Sequence, residues 1–269
     1  MLKKLIAIFL ICQSCSSEKQ SKNEFERFRE TLVENNIIYQ AEYKIDSKNS
    51  NTLETEIFYN DKGYATKMVS YASIYSVDFI EEYFYTSENV LVEIKRGKTQ
   101  DSLKTTYKAF LNDKKEIETE YEYYEDGSVY KSIYKNDSIG RNQSKEYYKD
   151  SILVSTFKFE WYDTHKLSEI RRYNIDNKLN GKELYNYKDG LLLSKLRIEH
   201  DTIIESEKYE YNSLNLLESI IFEVPKNLRI KTELTYDNGL IKKEVTDYLS
   251  LKKEIYKNTE TRIREYKKH

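Results

Sequence analysis

Beyond residue 15 this sequence has no cysteine: its two, Cys12 and Cys15, both fall in the opening segment. A disulfide framework, a cysteine nucleophile and a thiolate metal site are thereby excluded from the body of the chain. Histidine is nearly as scarce. His165 and His200 lie in turn-like clusters and His269 is the last residue, so no pair has the spacing of a transition-metal site. Gly-x-Ser-x-Gly, P-loop and Gly-x-Gly-x-x-Gly motifs are all absent. These absences point to a non-catalytic protein without cofactor or metal. Acidic residues are numerous enough to leave a glycoside-cleaving carboxylate pair open by count. Their alternation along strand-like segments is instead that of solvated faces.

One proline and seven glycines are few for a protein rich in turns, so Asn, Asp, Lys and Ser must make the turns. Neither charge sign dominates: 44 Lys and Arg stand against 46 Asp and Glu, finely mixed. No basic stripe of the kind that tracks nucleic acid is present. In Lys252–Lys268 the basic residues alternate with Glu254, Glu260 and Glu265, which reads as a solvated strand face. No apolar run approaches the roughly 20 residues of a membrane-spanning helix.

What is present is aromatic. Charged residues make up 33% and mean hydropathy is −0.80, values that verge on disorder, but 26 Tyr and 10 Phe oppose it, because disordered chains are poor in aromatic residues. Tyrosine alternating with charge favours strands.

The chain opens with Met1-Leu2-Lys3-Lys4, an apolar stretch Leu5–Ile11, and Gln13-Ser14 before Cys15. A basic start and a short apolar core make a secretory signal. With Cys15 at its end, residues 1–14 resemble a bacterial lipoprotein signal peptide. The resemblance implies cleavage after Ser14, lipid (palmitate among its chains) on Cys15, and a membrane partner reached through that anchor in the bacterial cell envelope, at the outer membrane or cell surface. An unlipidated secreted protein is the next reading and a cytoplasmic one the last. Residues 15–23 then read as a flexible tether. Phe25, Phe28 and Leu32 recur at helical spacing among charges, predicting an amphipathic helix over 24–36 that covers the open edge or face of the first strands.

Residues 37–269 read as a β-repeat domain. Turn clusters such as Asn60–Gly63, Glu125–Gly127, Lys188–Gly190 and Asn212–Asn215 recur about every 12 residues. Three near-copies of one phrase, Leu184–Leu192, Tyr209–Leu217 and Leu234–Ile241, have anchor tyrosines Tyr187, Tyr211 and Tyr236 that lie 24 and 25 residues apart, marking a two-strand repeat. Alternation predicts one apolar and one wet face: Ile117, Thr119, Tyr121 and Tyr123 against Glu118, Glu120 and Glu122; Phe157, Phe159 and Trp161 against Lys158 and Glu160; Ile230, Thr232, Leu234 and Tyr236 against Lys231 and Glu233. Leu191–Leu193 and Leu216–Phe222, apolar on both faces, predict coverage on both sides. Asp126-Gly127, Asp189-Gly190 and Asn238-Gly239 are expected to be type I′ hairpin turns rather than calcium loops.

The expected fold is all-β: a long antiparallel meander of about 18 short strands with one short N-terminal helix. A sheet so wide is expected to twist or roll rather than lie flat. A membrane barrel is disfavoured, because charges interrupt both faces of several strands.

The phrase Tyr-x-Tyr-(Asn/Lys/Asp)-x-Gly-Leu, with looser copies such as Tyr59–Gly63 and Tyr124–Gly127, resembles the YD repeats of Rhs-type proteins. It is also similar to the two-strand repeats of MORN-like antitoxin proteins. What the resemblance implies is a wrapping β-meander. Function is then expected to be a lipid-anchored binding or scaffold module for a protein or glycan, with an immunity-like envelope protein or a glycan-acting enzyme as alternatives. The tyrosines themselves read first as structural anchors beside the turns.

Overall fold

The computed structural model describes residues 24–45, 50–73, 76–250 and 255–268. Cys15, the segment before it, the tether and His269 lie outside the described residues. One helix, α1 (Glu24–Glu34), is followed by β1 (Ile37–Ile45), β2 (Asn51–Tyr59), β3 (Ala65–Ser73), β4 (Ser76–Tyr85), β5 (Leu91–Gly97), β6 (Lys104–Leu111), β7 (Ile117–Tyr123), β8 (Val129–Asn136), β9 (Asn142–Lys149), β10 (Ile152–Trp161), β11 (Leu167–Tyr173), β12 (Leu179–Lys188), β13 (Leu191–Glu199), β14 (Thr202–Tyr211), β15 (Leu217–Val224), β16 (Leu228–Asp237), β17 (Leu240–Ser250) and β18 (Ile255–Lys268). A 3₁₀ turn, Gln100–Ser102, interrupts the series.

Each strand pairs antiparallel with the one before and the one after it. The first also pairs with the last: Glu42 faces Arg264 and Ile45 faces Thr261. The sheet is therefore a closed 18-stranded barrel, which corrects the expected rolled or twisted sheet. A meander leaves only two edges, and joining them removes both rows of unpaired backbone groups at once. Eighteen strands at a spacing of about 4.8 Å give a perimeter of roughly 86 Å. A barrel that wide encloses space rather than a packed core. Burial agrees: the apolar clusters are small, one around Tyr83, Leu91, Tyr107 and Ala109 and one around Leu32, Ile37 and Leu240.

The turns explain how so few glycines suffice. Asn60, Asn112, Asp137, Asn174 and Asn212 each accept, through one side-chain oxygen, the backbone N–H groups two and four residues on. The left-handed position in those turns is filled by Gly63, Lys115, Gly140, Asn177 and Asn215. Asp189-Gly190 and Asn238-Gly239 have positive φ at both residues, as do Asp150-Ser151 and His200-Asp201, the signature of type I′ turns. Asp126-Gly127 differs: only Gly127 is left-handed, in a longer turn closed by Tyr124 and Ser128.

The repeat tyrosines sit beside bulges. Registers shift between Asn186 and Tyr187, Glu210 and Tyr211, and Thr235 and Tyr236. The extra residue lies on the following strand and disrupts the ladder beside it. The carbonyl just before that residue receives a side chain from further along the chain: Tyr211 donates to Leu192 O at 3.0 Å, Tyr236 to Leu217 O at 2.6 Å and Tyr266 to Ile241 O at 2.8 Å. Trp161 does the same to Asn142 O at 2.9 Å. Tyr236→Phe should leave the Leu217 carbonyl without this donor and cost about 1–2 kcal/mol, read as a lower urea midpoint at unchanged slope.

Helix α1 lies across one mouth of the barrel, over the β18–β1 seam, rather than along an open edge. Leu32, 1% exposed, packs with Ile37 and Leu240, and Phe28, Tyr59 and Tyr266 flank them. Arg27 donates to Asn215 O and Arg29 to Lys62 O, so the helix reaches hairpins on both sides of the seam. Asn36, with φ 54°, ends it. Gly63 touches it so closely that a Cβ there would stand 2.8 Å from Arg29 O.

Candidate functional site: the charged inner wall

Residues facing each other on paired strands share a side, so the registers trace one wall around the ring. Along β10 and β16, Phe157, Phe159, Ile230 and Leu234 are half-buried while Lys158, Glu160, Arg229 and Glu233 are exposed. The crowded side is the inner one. The outer side carries Lys95, Lys108, Lys131, Lys158, Lys208 and Lys243 within strands. Each Lys on a lipid-facing wall would cost about 2–4 kcal/mol at a bilayer midplane.

The inner wall holds charges that alternation assigned to solvent. In β7 the parity is the reverse of the expected one. Glu120, 5% exposed, faces inward with Glu122, while Tyr121 and Tyr123 face outward. The cause is the neighbours: Glu120 accepts from Tyr107 at 3.1 Å and from Tyr134. Burial, then the Glu120 carboxylate, pushes both phenols well above the ordinary tyrosine range. On β4, Glu81 likewise accepts from Tyr83 at 2.6 Å and pairs with Arg96. The doubly apolar segment at Leu191–Leu193 is half-buried rather than covered on both sides; in Leu216–Phe222, Leu217 and Ser219 are buried and Glu218 is exposed.

The densest cluster lies at the seam. Arg264 donates to Glu42 at 2.8 Å and to Glu244 at 3.0 Å. Arg262 reaches Glu54 at 2.8 Å, Glu260 at 3.0 Å, Glu244 at 3.5 Å and Glu42 at 3.8 Å, and Lys44 adds a pair to Glu260. Burial works against the charge of Arg264, but Glu42 and Glu244 outweigh it and hold the guanidinium above its ordinary range. Arg262 behaves alike, with Glu54 the main opposing partner. The expectation of a solvated face in Lys252–Lys268 thus fails at these two residues. The partners of Arg264 lie about 220 and 20 residues away in sequence.

A third region spans β8 to β13. Lys145 Nζ lies 5.7, 5.5 and 4.9 Å from the ring centres of Tyr134, Tyr147 and Phe157, and Lys149 lies 5.5 Å from Tyr130. Tyr130 and Tyr147 stack at 5.4 Å. Further on, Glu199 gathers Arg172 at 2.8 Å and Arg197 at 3.0 Å. Burial opposes its charge, yet Arg197 and Arg172 keep its carboxyl below the usual range.

His165 is exposed in the β10–β11 turn and His200 is exposed in the β13–β14 turn. Among the described residues no group of three His, Cys, Asp or Glu side chains is placed to hold a metal. The inner carboxylates described above each meet an arginine or a tyrosine hydroxyl.

The molecule is thus an all-β, closed antiparallel barrel with a polar, aromatic inner wall. No family model matches the chain, and no curated protein matches it. Among solved structures, a porin-like protein from Bacteroides uniformis is similar at 12% identity and a TM-score of 0.48, over 86% of this chain and 98% of that one. A Tc holotoxin pore from Photorhabdus luminescens is similar at 11% identity and a TM-score of 0.31, over 87% of this chain and 17% of that one. At these scores neither likeness bears on function.

Proposed function

We propose that this chain is a non-catalytic binding module of the bacterial cell envelope, held at a membrane by lipid on Cys15, that takes a protein or glycan ligand against its barrel wall. The observation that carries the reading is the inner wall itself. The carboxylates and guanidinium groups described above are locked into one another and into tyrosines, which suits a rigid recognition surface. The outer wall, wet and charged, suits a barrel standing clear of the bilayer. The opening segment with Cys15 supports the anchor.

Mass spectrometry of the mature protein from its own cells should find a diacyl- or triacyl-modified Cys15 as the first residue. An intact Met1, or an unmodified Cys15, sinks the anchor. Crosslinking in intact cells followed by capture should recover one specific protein or glycan. Recovery of none counts against the binding module.

A further inference from the structure

Hairpins of a meander point alternately to the two mouths of the barrel. Helix α1 touches the β2–β3 and β14–β15 turns, so the β7–β8, β9–β10, β11–β12 and β13–β14 turns stand at the opposite mouth. These four are consecutive on that rim. At each of them large apolar side chains are exposed: Tyr124, then Ile152, then Ile175 with Leu179, then Ile203. Ile152 and Ile175, at 71% and 68% exposed, belong to neither apolar cluster of the barrel. The turns on either side of this arc, β5–β6 and β15–β16, carry no exposed large apolar residue. Single exposed apolar side chains are ordinary, but a run of them along one edge marks a contact surface.

The same four turns are acidic. Glu125, Asp126, Asp150, Asp176 and Asp201 are exposed on them, against Lys149 and Lys178. Among the described residues none of these five carboxylates forms an ion pair, unlike those of the seam. On the flanking turns Lys98 and Asp101 offset each other and Lys226 is alone. Acid and apolar surface therefore coincide on one arc. A second copy meeting this mouth with its own would set acid against acid, and an anionic lipid surface would be repelled as well. The complement is a surface both apolar and basic. Successive turns on one rim lie two strands apart, about 10 Å, so four of them span about 30 Å. That is the length of a helix of about 20 residues. A basic amphipathic helix presents an apolar stripe flanked by cations along such a length.

We propose that this rim is the docking site for a basic amphipathic helix of a protein partner, its apolar stripe on Ile152, Ile175 and Ile203 and its Lys and Arg side chains against Asp150, Asp176 and Asp201. The assignment rests on the binding-module reading and specifies the ligand as a protein. Fluorescence anisotropy tests it, with the full mature chain carrying Cys15→Ser so that neither lipid nor detergent competes. The probe is a labelled amphipathic Leu/Lys peptide of about 18 residues, long enough to cover most of the arc. A Leu/Glu peptide of the same pattern and a Leu/Lys peptide with the stripe scrambled are its controls. The patterned Leu/Lys peptide should bind, with both controls at least about tenfold weaker. Ile152→Ser with Ile175→Ser should weaken it about tenfold or more, since two side chains lose their burial. Asp176→Asn with Asp201→Asn should weaken it several-fold and flatten its salt dependence. Tyr162→Ser with Leu214→Ser, equally exposed but at the helix mouth, should leave binding unchanged.

Equal binding of the three peptides, or binding of none, overturns the site. So does binding that survives both rim variants, or that the helix-mouth variant weakens as much as they do. Vesicles of anionic lipid that bind through the rim while the peptide does not, or a dimer in sedimentation that Ile152→Ser with Ile175→Ser dissolves, would assign the rim to those occupants instead. The two readings fail separately. A specific partner captured from cells, with no peptide binding at the rim, removes this site and leaves the binding module.

Discussion

Raised from pH 8 to about pH 11, the barrel is expected to lose roughly 5 kcal/mol of stability and to unfold cooperatively. Tyr59, Tyr83, Tyr107, Tyr134 and Tyr266 all have phenols held above their ordinary value, in each case by burial first. Glu81 and Glu120 add to the shift at Tyr83, Tyr107 and Tyr134. Tyr266 is pushed up to about 12, with nearby Arg264 opposing and Glu42 adding to the rise. In the unfolded chain a tyrosine ionises near pH 10. Between that value and the folded one, the unfolded state has released protons that the folded state still holds, so stability falls as pH rises. The contribution of these phenols is complete below pH 10 and is lost progressively above it. One pH unit above 10 costs about 1.4 kcal/mol for each fully shifted phenol, and the four raised furthest, Tyr59, Tyr83, Tyr107 and Tyr134, together come to roughly 5 to 6 kcal/mol. That is a large part of the 5–15 kcal/mol that holds a typical domain together.

The check is a pH titration followed at once by phenolate absorbance and far-ultraviolet circular dichroism. A late group of tyrosines should ionise in step with the loss of β-structure. If all tyrosines ionise smoothly near pH 10 while the β signal persists, the inner phenols are not held as described.

The second large effect is expected at the seam. Arg264→Met removes the cation between Glu42 and Glu244 and leaves two inward carboxylates on either side of β18, with Arg262 their remaining ion-pair partner among those described. Breaking a buried pair from one side costs about 3–5 kcal/mol, because the remaining charge is stranded. The double variant Glu42→Gln, Arg264→Met should recover much of that loss, since a neutral pair removes the stranded charge. Urea unfolding of the two single variants and the double variant gives the coupling directly. A loss below about 1 kcal/mol for Arg264→Met would mark the seam pair as a surface-like contact.

These residues also show why the barrel closes in one register. β1 and β18 meet after more than 200 intervening residues, and a one-residue slip would turn every side chain to the other wall. Glu42 facing Arg264, and Glu244 facing Arg262, penalise such a slip by separating opposite charges. The helix adds its part at the mouth, where Leu32 packs onto the start of β1 and the start of β17.

Much of the barrel was legible in local pattern. Strand length, turn spacing and the Asx-rich turns depend on residues within about a dozen positions of one another, and they led to eighteen strands, short hairpins and a helix before β1. The tyrosines at the repeat phrase were readable as anchors for the same reason: the bulge beside each is part of the repeat.

The inner wall was less legible. Phe157 and Ile230 declared their side through alternation, but Glu120 and Tyr121 did not. Which of two alternating sets faces inward is inherited through register from the strands alongside, and for β7 those strands present Tyr107 and Tyr134 as hydrogen-bond donors to a carboxylate. Arg262 and Arg264 were hidden for the same reason, since nothing within their own strand shows that Glu42 and Glu54 will arrive beside them.

By itself, then, the sequence determined a meander of eighteen antiparallel strands, because hairpin pairing is local. Only the tertiary structure decided that the meander closes into a barrel and which side of each strand became the wall, because both depend on β1 meeting β18 and on a register carried around the whole ring.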